Sequence, residues 1–213
     1  MPVATAQFPV NLVLDGRAVL VVGAGVVAAR KIEGLIACGA RVTVVATAVG
    51  AEVRALVAAG LLAACHERPY VAADLDGMWL ATTATDQPSV NAQVRADGDA
   101  RRLWVNAADD PTSCSFTLPA VVRQGPLLIT VATGGHSPAL ATWLRRRIQA
   151  ELGPEYIVLV EMLSAARDEI KAVGGSTEGL DWLGAIDSGM LELIREGRIV
   201  VARERLRACL SSS

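Results

Sequence analysis

Residues 18–35 read AVLVVGAGVVAARKIEGL, and this stretch predicts the fold of the first half of the chain. An apolar, β-branched run ends at a glycine-rich turn, after which the sequence continues with the spacing of a helix. The turn matches the pattern G-x-G-x-x-G/A, with Ala28 in the third position. A strand, turn and helix of this kind typically bind the pyrophosphate of a dinucleotide.

The residues of this turn have distinct physical roles. Gly23 allows the backbone to turn sharply, and Gly25 leaves room for a phosphate to approach the main chain. Val26 and Val27 begin the helix, whose first N–H groups have no acceptor within the helix and can bind an anion. We therefore assign Gly23, Gly25, Val26 and Val27 to cofactor binding. The alternative is an ordinary strand–turn–helix, since a glycine pattern alone is weakly specific.

Composition limits the class of protein. The chain has 213 residues, 52% of them hydrophobic, which is enough for a core in one or two domains. Its formal net charge of −2 gives no general attraction to nucleic acid or membrane surfaces. No apolar run reaches the roughly 18 residues that a membrane-spanning helix needs, and residues 1–10 lack the pattern of a signal peptide. We therefore expect a cytoplasmic protein with neither nucleic-acid nor membrane partners.

Residues that could ligate a metal are scattered along the chain. The four cysteines show no C-x-x-C spacing, and the two histidines are His66 and His136. We therefore expect reduced, mostly buried thiols and no resident metal site. The cysteines are Cys38, Cys65, Cys114 and Cys209.

Strand-like and helical patterns alternate over the first half of the chain. Near-continuous apolar runs such as residues 41–46 are typical of a parallel sheet that is covered on both faces. The predicted fold class is therefore α/β, with a Rossmann-like, doubly wound parallel sheet. The predicted strands are 18–22, 41–46, 61–66, 78–83 and 103–105, and the predicted helices are 26–38, 50–59 and 88–100.

The ends of the predicted strands favour NAD as the cofactor. A Rossmann domain usually places an acid after its second strand to bind the ribose, but this strand ends without one. Thr47 offers a hydroxyl for the ribose and Ala48 offers backbone groups, while no arginine stands there for the 2′-phosphate of NADP. Thr85 follows the fourth strand, where small polar residues line the cofactor crevice, and we assign these three residues to cofactor binding as well.

The pattern changes after residue 112. Two extended runs, 115–122 and 126–132, have no helix between them and predict an antiparallel hairpin. A helix opens at Ser137-Pro138, and the sequence from Glu155 onward is helical. We therefore predict an NAD-binding Rossmann domain (1–112), a small β-hairpin-plus-helix dimerisation region (113–152) and a C-terminal helical domain (153–213).

The fifth strand leads into a candidate catalytic segment, Val105-Asn106-Ala107-Ala108-Asp109. A carboxylate at the carboxyl end of a parallel strand can accept a proton or stabilise positive charge, so Asp109 is the candidate catalytic residue. The alternative is that Asp109 or Asp110 only caps the turn before Pro111. Asn106 can orient Asp109 or bind the substrate or the nicotinamide amide, and it can equally serve only to close a loop.

A second candidate segment precedes the helix that opens near residue 138. Gly134, Gly135, His136 and Ser137 lie before the helix N-terminus, which attracts anions, and we assign them to substrate binding. A substrate carboxylate is the group that we expect there. The alternatives are that Ser137 only caps the helix and that His136 is an ordinary exposed polar residue.

Separate stretches of the chain share their order and spacing with a known family. They are Phe8-Pro9-Val10, the stretch 19–31, Ala84-Thr85-Asp86 with Val90-Asn91, the stretch 105–109, the stretch 115–120, and the stretch 134–138 leading to Leu144-Arg145. Together they resemble the precorrin-2 dehydrogenase family, which includes the N-terminal half of siroheme synthase. The segments Asn-x-x-Asp and Gly-Gly-x-Ser-Pro are more specific to this family than the glycine turn.

The resemblance implies NAD-dependent oxidation of precorrin-2, a tetrapyrrole with eight carboxylates, to sirohydrochlorin. It also implies a homodimer that exchanges its middle segment between subunits, and it favours Asp109 over Asp110 as the functional aspartate. Some members also insert Fe²⁺ into sirohydrochlorin, so a bifunctional dehydrogenase and ferrochelatase is one alternative. A non-catalytic NAD-sensing module is another. The sequence departs from the family at Ala24, Thr133 and His136, where a glycine, a serine and a threonine are common.

Overall fold

The computed structural model describes residues 6–107 and 114–211, and the chain packs as two compact units. The first unit contains the residues up to Leu118 together with Gly134–His136. The second contains Pro119–Thr133 together with the residues from Ser137 onward. The division into domains at residues 112 and 152 stays a prediction, since these units group the chain by contacts alone.

A five-stranded parallel sheet forms the centre of the first unit. Its strands are β1 (Ala18–Val22), β2 (Arg41–Ala46), β3 (Ala64–Glu67), β4 (Leu80–Thr83) and β5 (Trp104–Ala107). Its helices are α1 (Val26–Ile36), α2 (Ala51–Ala58) and α3 (Pro88–Ala100). The spatial order is β3-β2-β1-β4-β5, so the chain winds outward from β1 to β3 and then crosses to β4 on the other side. The predicted Rossmann-like α/β sheet is thereby confirmed.

Both faces of this sheet are covered, which explains the near-continuous apolar runs in its strands. Val19 and Val21 of β1 face one core with Ile32 of α1, while Leu20 and Val22 face a second core with Val94 of α3. Successive side chains of a strand point to opposite faces, so a strand that is buried on both sides needs apolar residues at every position.

Two strands of the sheet, β3 and β4, begin two or three residues later than the sequence pattern predicts. Residues 61–63 precede β3, because the N–H of Leu61 donates to the carbonyl of Leu56 and so completes the end of α2 (3.1 Å). Met78 precedes β4, because its N–H closes a turn on the carbonyl of Leu75 (3.1 Å), the last residue of a short 3-10 helix. In contrast, β5 continues two residues further than predicted, to Ala107.

The second unit begins with a two-stranded antiparallel hairpin, β6 (Ala120–Gln124) and β7 (Leu127–Val131), as predicted. Its first strand starts at residue 120 rather than 115, just after Pro119, which has no N–H to donate to a ladder. The helix α4 (Pro138–Glu151) packs on both strands.

Four further helices complete the second unit and build a core of their own. They are α5 (Glu155–Ala172), α6 (Trp182–Asp187), α7 (Met190–Arg195) and α8 (Ile199–Ser211). Leu159, Met162, Met190 and Leu206 are among the residues buried between them. The predicted helical C-terminal region is thereby confirmed. No helix within residues 6–107 and 114–211 is long and apolar enough to span a membrane.

Candidate active site at the carboxyl edge of the sheet

The parallel strands of the first unit end along one edge, and the residues predicted to bind the cofactor follow them there. The glycine turn follows β1, Thr47 and Ala48 follow β2, and Thr85 follows β4. The strand order reverses between β1 and β4, and the carboxyl edge at such a point is where open α/β sheets bind their ligands. The fold therefore brings together positions that lie up to 62 residues apart in the sequence.

Gly23 is a structural glycine. Its φ of +110° lies in the region that favours glycine, and a Cβ built on it would collide with the backbone carbonyl of Ala84. Its N–H donates to the carbonyl of Val45 (2.8 Å), and the N–H of Ala84 donates to the carbonyl of Val22 (2.8 Å). Gly23 therefore allows the chain to turn away from the sheet at the end of β1, between β2 and β4.

Gly25 has a different environment. Its φ of −85° is ordinary, and no heavy atom of the described chain outside its neighbouring residues lies within 4 Å of the position that a Cβ would take. It precedes α1, and no described side chain caps that helix. Val26 and Val27 are about half exposed. An open space beside free helix N–H groups fits the pyrophosphate of a dinucleotide.

A third glycine, which the sequence analysis did not single out, holds the turn from the other side. The N–H of Gly50, just before α2, donates to the carbonyl of Ala24 (2.9 Å). A Cβ on Gly50 would lie 2.7 Å from the same oxygen, which is too close for a side chain. The only sequence signal was a glycine before a helix, which does not indicate its partner.

The two predicted ribose residues and Thr85 differ in how firmly they are held. Thr47 and Ala48 are exposed at the end of β2. The hydroxyl of Thr85 accepts a hydrogen bond from the N–H of Gln87 (3.1 Å) and donates to Oδ1 of Asn91 (3.2 Å). Asn91, which is buried on α3, in turn donates from Nδ2 to the carbonyl of Thr85 (3.2 Å). Asn91 was a polar residue on an otherwise apolar helix face, a signal that could have found it.

Lys31 of α1 was also not predicted as a site residue. Its Nζ donates to Oγ1 of Thr82 on β4 (2.8 Å) and to Oδ1 of Asn106 on β5 (2.6 Å). Thr82 and Asn106 are only 4% and 6% exposed. The lysine therefore brings a positive charge to two buried acceptors at the ends of neighbouring strands.

The residues on either side of the stretch 108–113 are joined to each other by hydrogen bonds. Nδ2 of Asn106 donates to the carbonyl of Phe116 (3.0 Å), and the N–H of Ala107 donates to Sγ of Cys114 (3.2 Å). The N–H of Ser115 donates to the carbonyl of Val105 (2.8 Å). We call residues 105–107 and 114–116 the paired arm. Asp109, the predicted catalytic residue, lies outside the described residues, in the stretch 108–113 that follows the first half of this arm.

The predicted substrate-binding segment divides between the two units. Gly134 and Gly135 have φ values of +59° and +81°, and His136 is exposed. Ser137 caps α4, as the first alternative for it expected, because its Oγ accepts from the N–H of Leu140 (3.2 Å). The N–H of Ser137 itself donates to Oγ1 of Thr133 (3.0 Å).

An ion pair fixes the chain beyond β3. The guanidinium of Arg68 donates to both carboxylate oxygens of Asp74 (2.9 and 2.6 Å), and the N–H of Val71 donates to the same carboxylate (3.0 Å). The hydrogen bonds from Arg68, with a smaller effect from Val71, lower the pKa of Asp74 below its usual range.

Comparison with known proteins agrees with this geometry. Residues 10–120, just over half of the chain, match a family described as "Putative NAD(P)-binding". The siroheme synthase of Pseudomonas fluorescens (strain Pf0-1) is 41% identical over 75% of this chain and 34% of its own length. The siroheme synthase of Thioalkalivibrio sulfidiphilus (strain HL-EbGR7) is 36% identical over 96% of this chain and 42% of its own length. The chain thus spans less than half the length of these curated relatives.

A solved structure described as SirC, precorrin-2 dehydrogenase, is similar over nearly the whole chain. It has a TM-score of 0.72 and 27% identity, and the match covers 97% of this chain and 100% of that one. These findings confirm the predicted resemblance and support NAD as the cofactor. The glycine turn, the reversal of strand order beside it and the match over residues 10–120 lead to one conclusion: the chain belongs to this NAD(P)-binding family.

Proposed function

We propose that this protein catalyses the NAD-dependent dehydrogenation of precorrin-2 to sirohydrochlorin. The observation that carries the proposal is the open space at Gly25, beside the uncapped start of α1 and at the reversal of strand order. The likeness to SirC and to the siroheme synthases supports the choice of substrate. Precorrin-2 loses one hydride and one proton in this reaction.

The cofactor is held by the carboxyl edge of the sheet. The first N–H groups of α1, at Val26 and Val27, bind the pyrophosphate, and Gly25 admits it because a side chain there would fill the open space. The exposed Thr47 and Ala48 bind the ribose, and Thr85 contacts the cofactor beyond β4. NAD is favoured over NADP because residues 47–50, at the tip of β2, include no arginine to bind a 2′-phosphate.

Proton transfer is assigned to Asp109. When bound, NAD supplies the acceptor for the hydride. The carboxylate of Asp109 takes the proton that leaves the macrocycle, or stabilises positive charge that develops on it. Asn106 contributes by holding the two halves of the paired arm together, because its Oδ1 accepts from Lys31 and its Nδ2 donates to the carbonyl of Phe116.

Carboxylates of the substrate are assigned to the residues before α4. Gly134 and Gly135 offer backbone N–H groups, and the exposed His136 offers a side chain that can carry positive charge. Ser137 contributes by fixing the start of α4, where the helix dipole favours an anion.

The direct test is NADH formation. Purified protein is incubated anaerobically with precorrin-2 and NAD, and we expect NADH and the visible spectrum of sirohydrochlorin to appear together. A reaction without NAD and one with protein-free buffer are the controls. Binding of NAD without any NADH would contradict the proposal and favour the alternative of a non-catalytic sensing module.

We also propose a homodimer located in the cytoplasm. On α4, Leu140 and Trp143 are about half exposed, which favours a partner surface on the hairpin-plus-helix region. None of the four cysteines, all of which the structure describes, forms a disulfide, and this suits a reducing compartment. We expect Trp143→Glu to give monomers in sedimentation, while Val200→Glu, at a more exposed apolar position on α8, leaves the dimer intact.

A further inference from the structure

Lys31 joins three elements of the first unit through one ammonium group. It lies on α1, five residues after the helix begins, and reaches Thr82 on β4 and Asn106 on β5. The chain has only one other lysine, Lys171, which is exposed on α5. A long flexible side chain is held in one conformation only when its bonds offset the lost rotamer entropy, and two charge-assisted hydrogen bonds can do so.

The charge of Lys31 fixes the orientation of the Asn106 side chain. An ammonium group is a donor only, so the atom of Asn106 that faces it must be the carbonyl oxygen Oδ1. The amide nitrogen Nδ2 is then directed to the carbonyl of Phe116, 3.0 Å away. Without the lysine, the buried Oδ1 would lose its charged partner, and the opposite orientation of the amide would no longer be excluded.

We propose that Lys31 is a positioning residue that acts through Asn106. By fixing the amide of Asn106, it keeps the two halves of the paired arm, residues 105–107 and 114–116, hydrogen-bonded to each other. Lys31 thereby joins α1, whose first N–H groups are assigned to the pyrophosphate, to β5, the strand that precedes Asp109 in the sequence. The expected effect of Lys31 on turnover rests on the proposed function. The expected effect of Lys31 on the hydrogen bonds of the paired arm does not rest on it, so the proposed function and the role of Lys31 can fail separately.

The kinetic test compares Lys31→Met with Lys171→Met. Methionine keeps much of the apolar stem but cannot donate, and Lys171 provides the same chemical change on an exposed helix. We expect Lys31→Met to lower kcat about 10- to 100-fold with unchanged NAD affinity, because small displacements of reacting groups have effects of this size. Lys171→Met should leave both quantities unchanged. Equal kcat for Lys31→Met and the wild type would overturn the proposal.

A double-mutant cycle tests whether Lys31 acts through Asn106. If it does, adding Asn106→Ala to Lys31→Met should lower kcat little further, because both changes remove the same interaction. If kcat of the double variant instead fell by the product of the two single losses, Lys31 would act by another route and the proposal would be overturned.

Hydrogen exchange measures the arm without any turnover. The exchange rate of the Ser115 N–H, which donates to the carbonyl of Val105, reports directly on whether the two halves of the paired arm stay hydrogen-bonded. We expect Lys31→Met to speed exchange in the peptides that span residues 105–107 and 114–116 and not in β2. Unchanged exchange in those peptides, or an equal increase throughout the sheet, would overturn the proposal. If the wild type forms no NADH from precorrin-2, the proposed function fails while this measurement still decides the role of Lys31.

A milder variant keeps the proposal testable if Lys31→Met does not fold. Thr82→Val removes one acceptor of the ammonium at nearly constant volume. Its matched control is Thr83→Val, because Thr83 is fully buried on the same strand and its Oγ1 has no hydrogen-bond partner within the described chain. We expect faster exchange in the paired arm for Thr82→Val alone. Equal behaviour of the two variants would overturn the proposal.

Discussion

The carboxyl edge of the parallel sheet and the helical core of the second unit are built in opposite ways. At the edge, glycines and exposed backbone groups leave room for a ligand, and buried polar side chains are joined by hydrogen bonds. The helical core instead packs apolar side chains such as Met190 and Leu206 against one another. Substitutions at the edge should therefore change binding and turnover, while substitutions in the helical core should change stability.

The largest effect is expected at the edge, for Asp109→Ala. Removal of the proposed proton acceptor should lower kcat about 10²- to 10⁴-fold and leave NAD affinity unchanged. Turnover with precorrin-2 and calorimetric titration with NAD measure the two quantities. Asp110→Ala is the matched control and should keep turnover, since Asp110 is assigned to the turn before Pro111. Unchanged turnover of Asp109→Ala would remove this residue from catalysis.

The opposite behaviour is expected for Leu206→Ala in the helical core. Leu206 is 1% exposed, so its truncation should leave a cavity and lower the free energy of unfolding by about 2–5 kcal/mol. Denaturant unfolding followed by circular dichroism measures the loss, and NAD affinity should not change. Leu183→Ala, at a position that is 76% exposed on α6, should have little effect on either. A clear loss of NAD affinity in Leu206→Ala would break the contrast between the two regions.

Gly25 and Gly23 should respond differently to substitution, although both lie in the same turn at the edge. Gly25→Val should weaken NAD binding at least about tenfold, or about 1.4 kcal/mol, because its side chain enters the space assigned to the pyrophosphate. Its melting temperature should stay near that of the wild type, since no atom of residues 6–107 or 114–211 beyond the neighbours of Gly25 occupies that space. Gly23→Ala should instead lower stability, because of its positive φ and its collision with Ala84. Wild-type NAD affinity of Gly25→Val in calorimetry would contradict this assignment.

The smallest effect is expected at Asp74, beyond β3. A carboxyl whose pKa is lowered by folding adds stability above its unfolded pKa, about 3.9, and loses it as the pH falls through the folded pKa. Asp74→Asn should therefore be slightly less stable than the wild type at neutral pH, and the difference should shrink in acid. The control is Asp76→Asn. The carboxylate of Asp76 pairs with Arg101 but is exposed, so this variant should show a smaller change in stability. A difference for Asp74→Asn that is independent of pH would contradict the role of the Arg68 pair.

The sequence predicted local structure well wherever short-range chemistry specifies it. The helix α3 begins at Pro88 and ends at Ala100, as predicted, because proline fits the first turn. Strand limits were less accurate: β3 and β4 begin late because the hydrogen bonds of Leu61 and Met78 belong to the preceding turns. A periodicity of apolar residues does not show which backbone groups pair with one another.

The candidate site was predicted only in part, and the reason is the same. The motif predicted different roles for Gly23 and Gly25, yet only the structure shows that a Cβ on Gly23 would collide with Ala84 and that a Cβ on Gly25 would meet no atom of the described chain beyond its neighbours. Lys31 and Asn106 lie 75 residues apart, so no local pattern indicates that they are in contact. Asp109 could be assigned only from the sequence.

The class of sheet, the place of the glycine turn and the family resemblance could be predicted from the amino-acid sequence, because they depend on neighbouring residues and on small side chains at fixed spacing. The identity of the polar groups that meet at the carboxyl edge follows from the packing of the strands and helices. Lys31, Thr82 and Asn106 come together because β4 and β5 lie side by side in the sheet and the side chain of Lys31 on α1 reaches both strands, and the winding of the chain around β1 sets that order. Hydrogen bonds between distant segments follow from this packing, and a linear pattern carries no record of it.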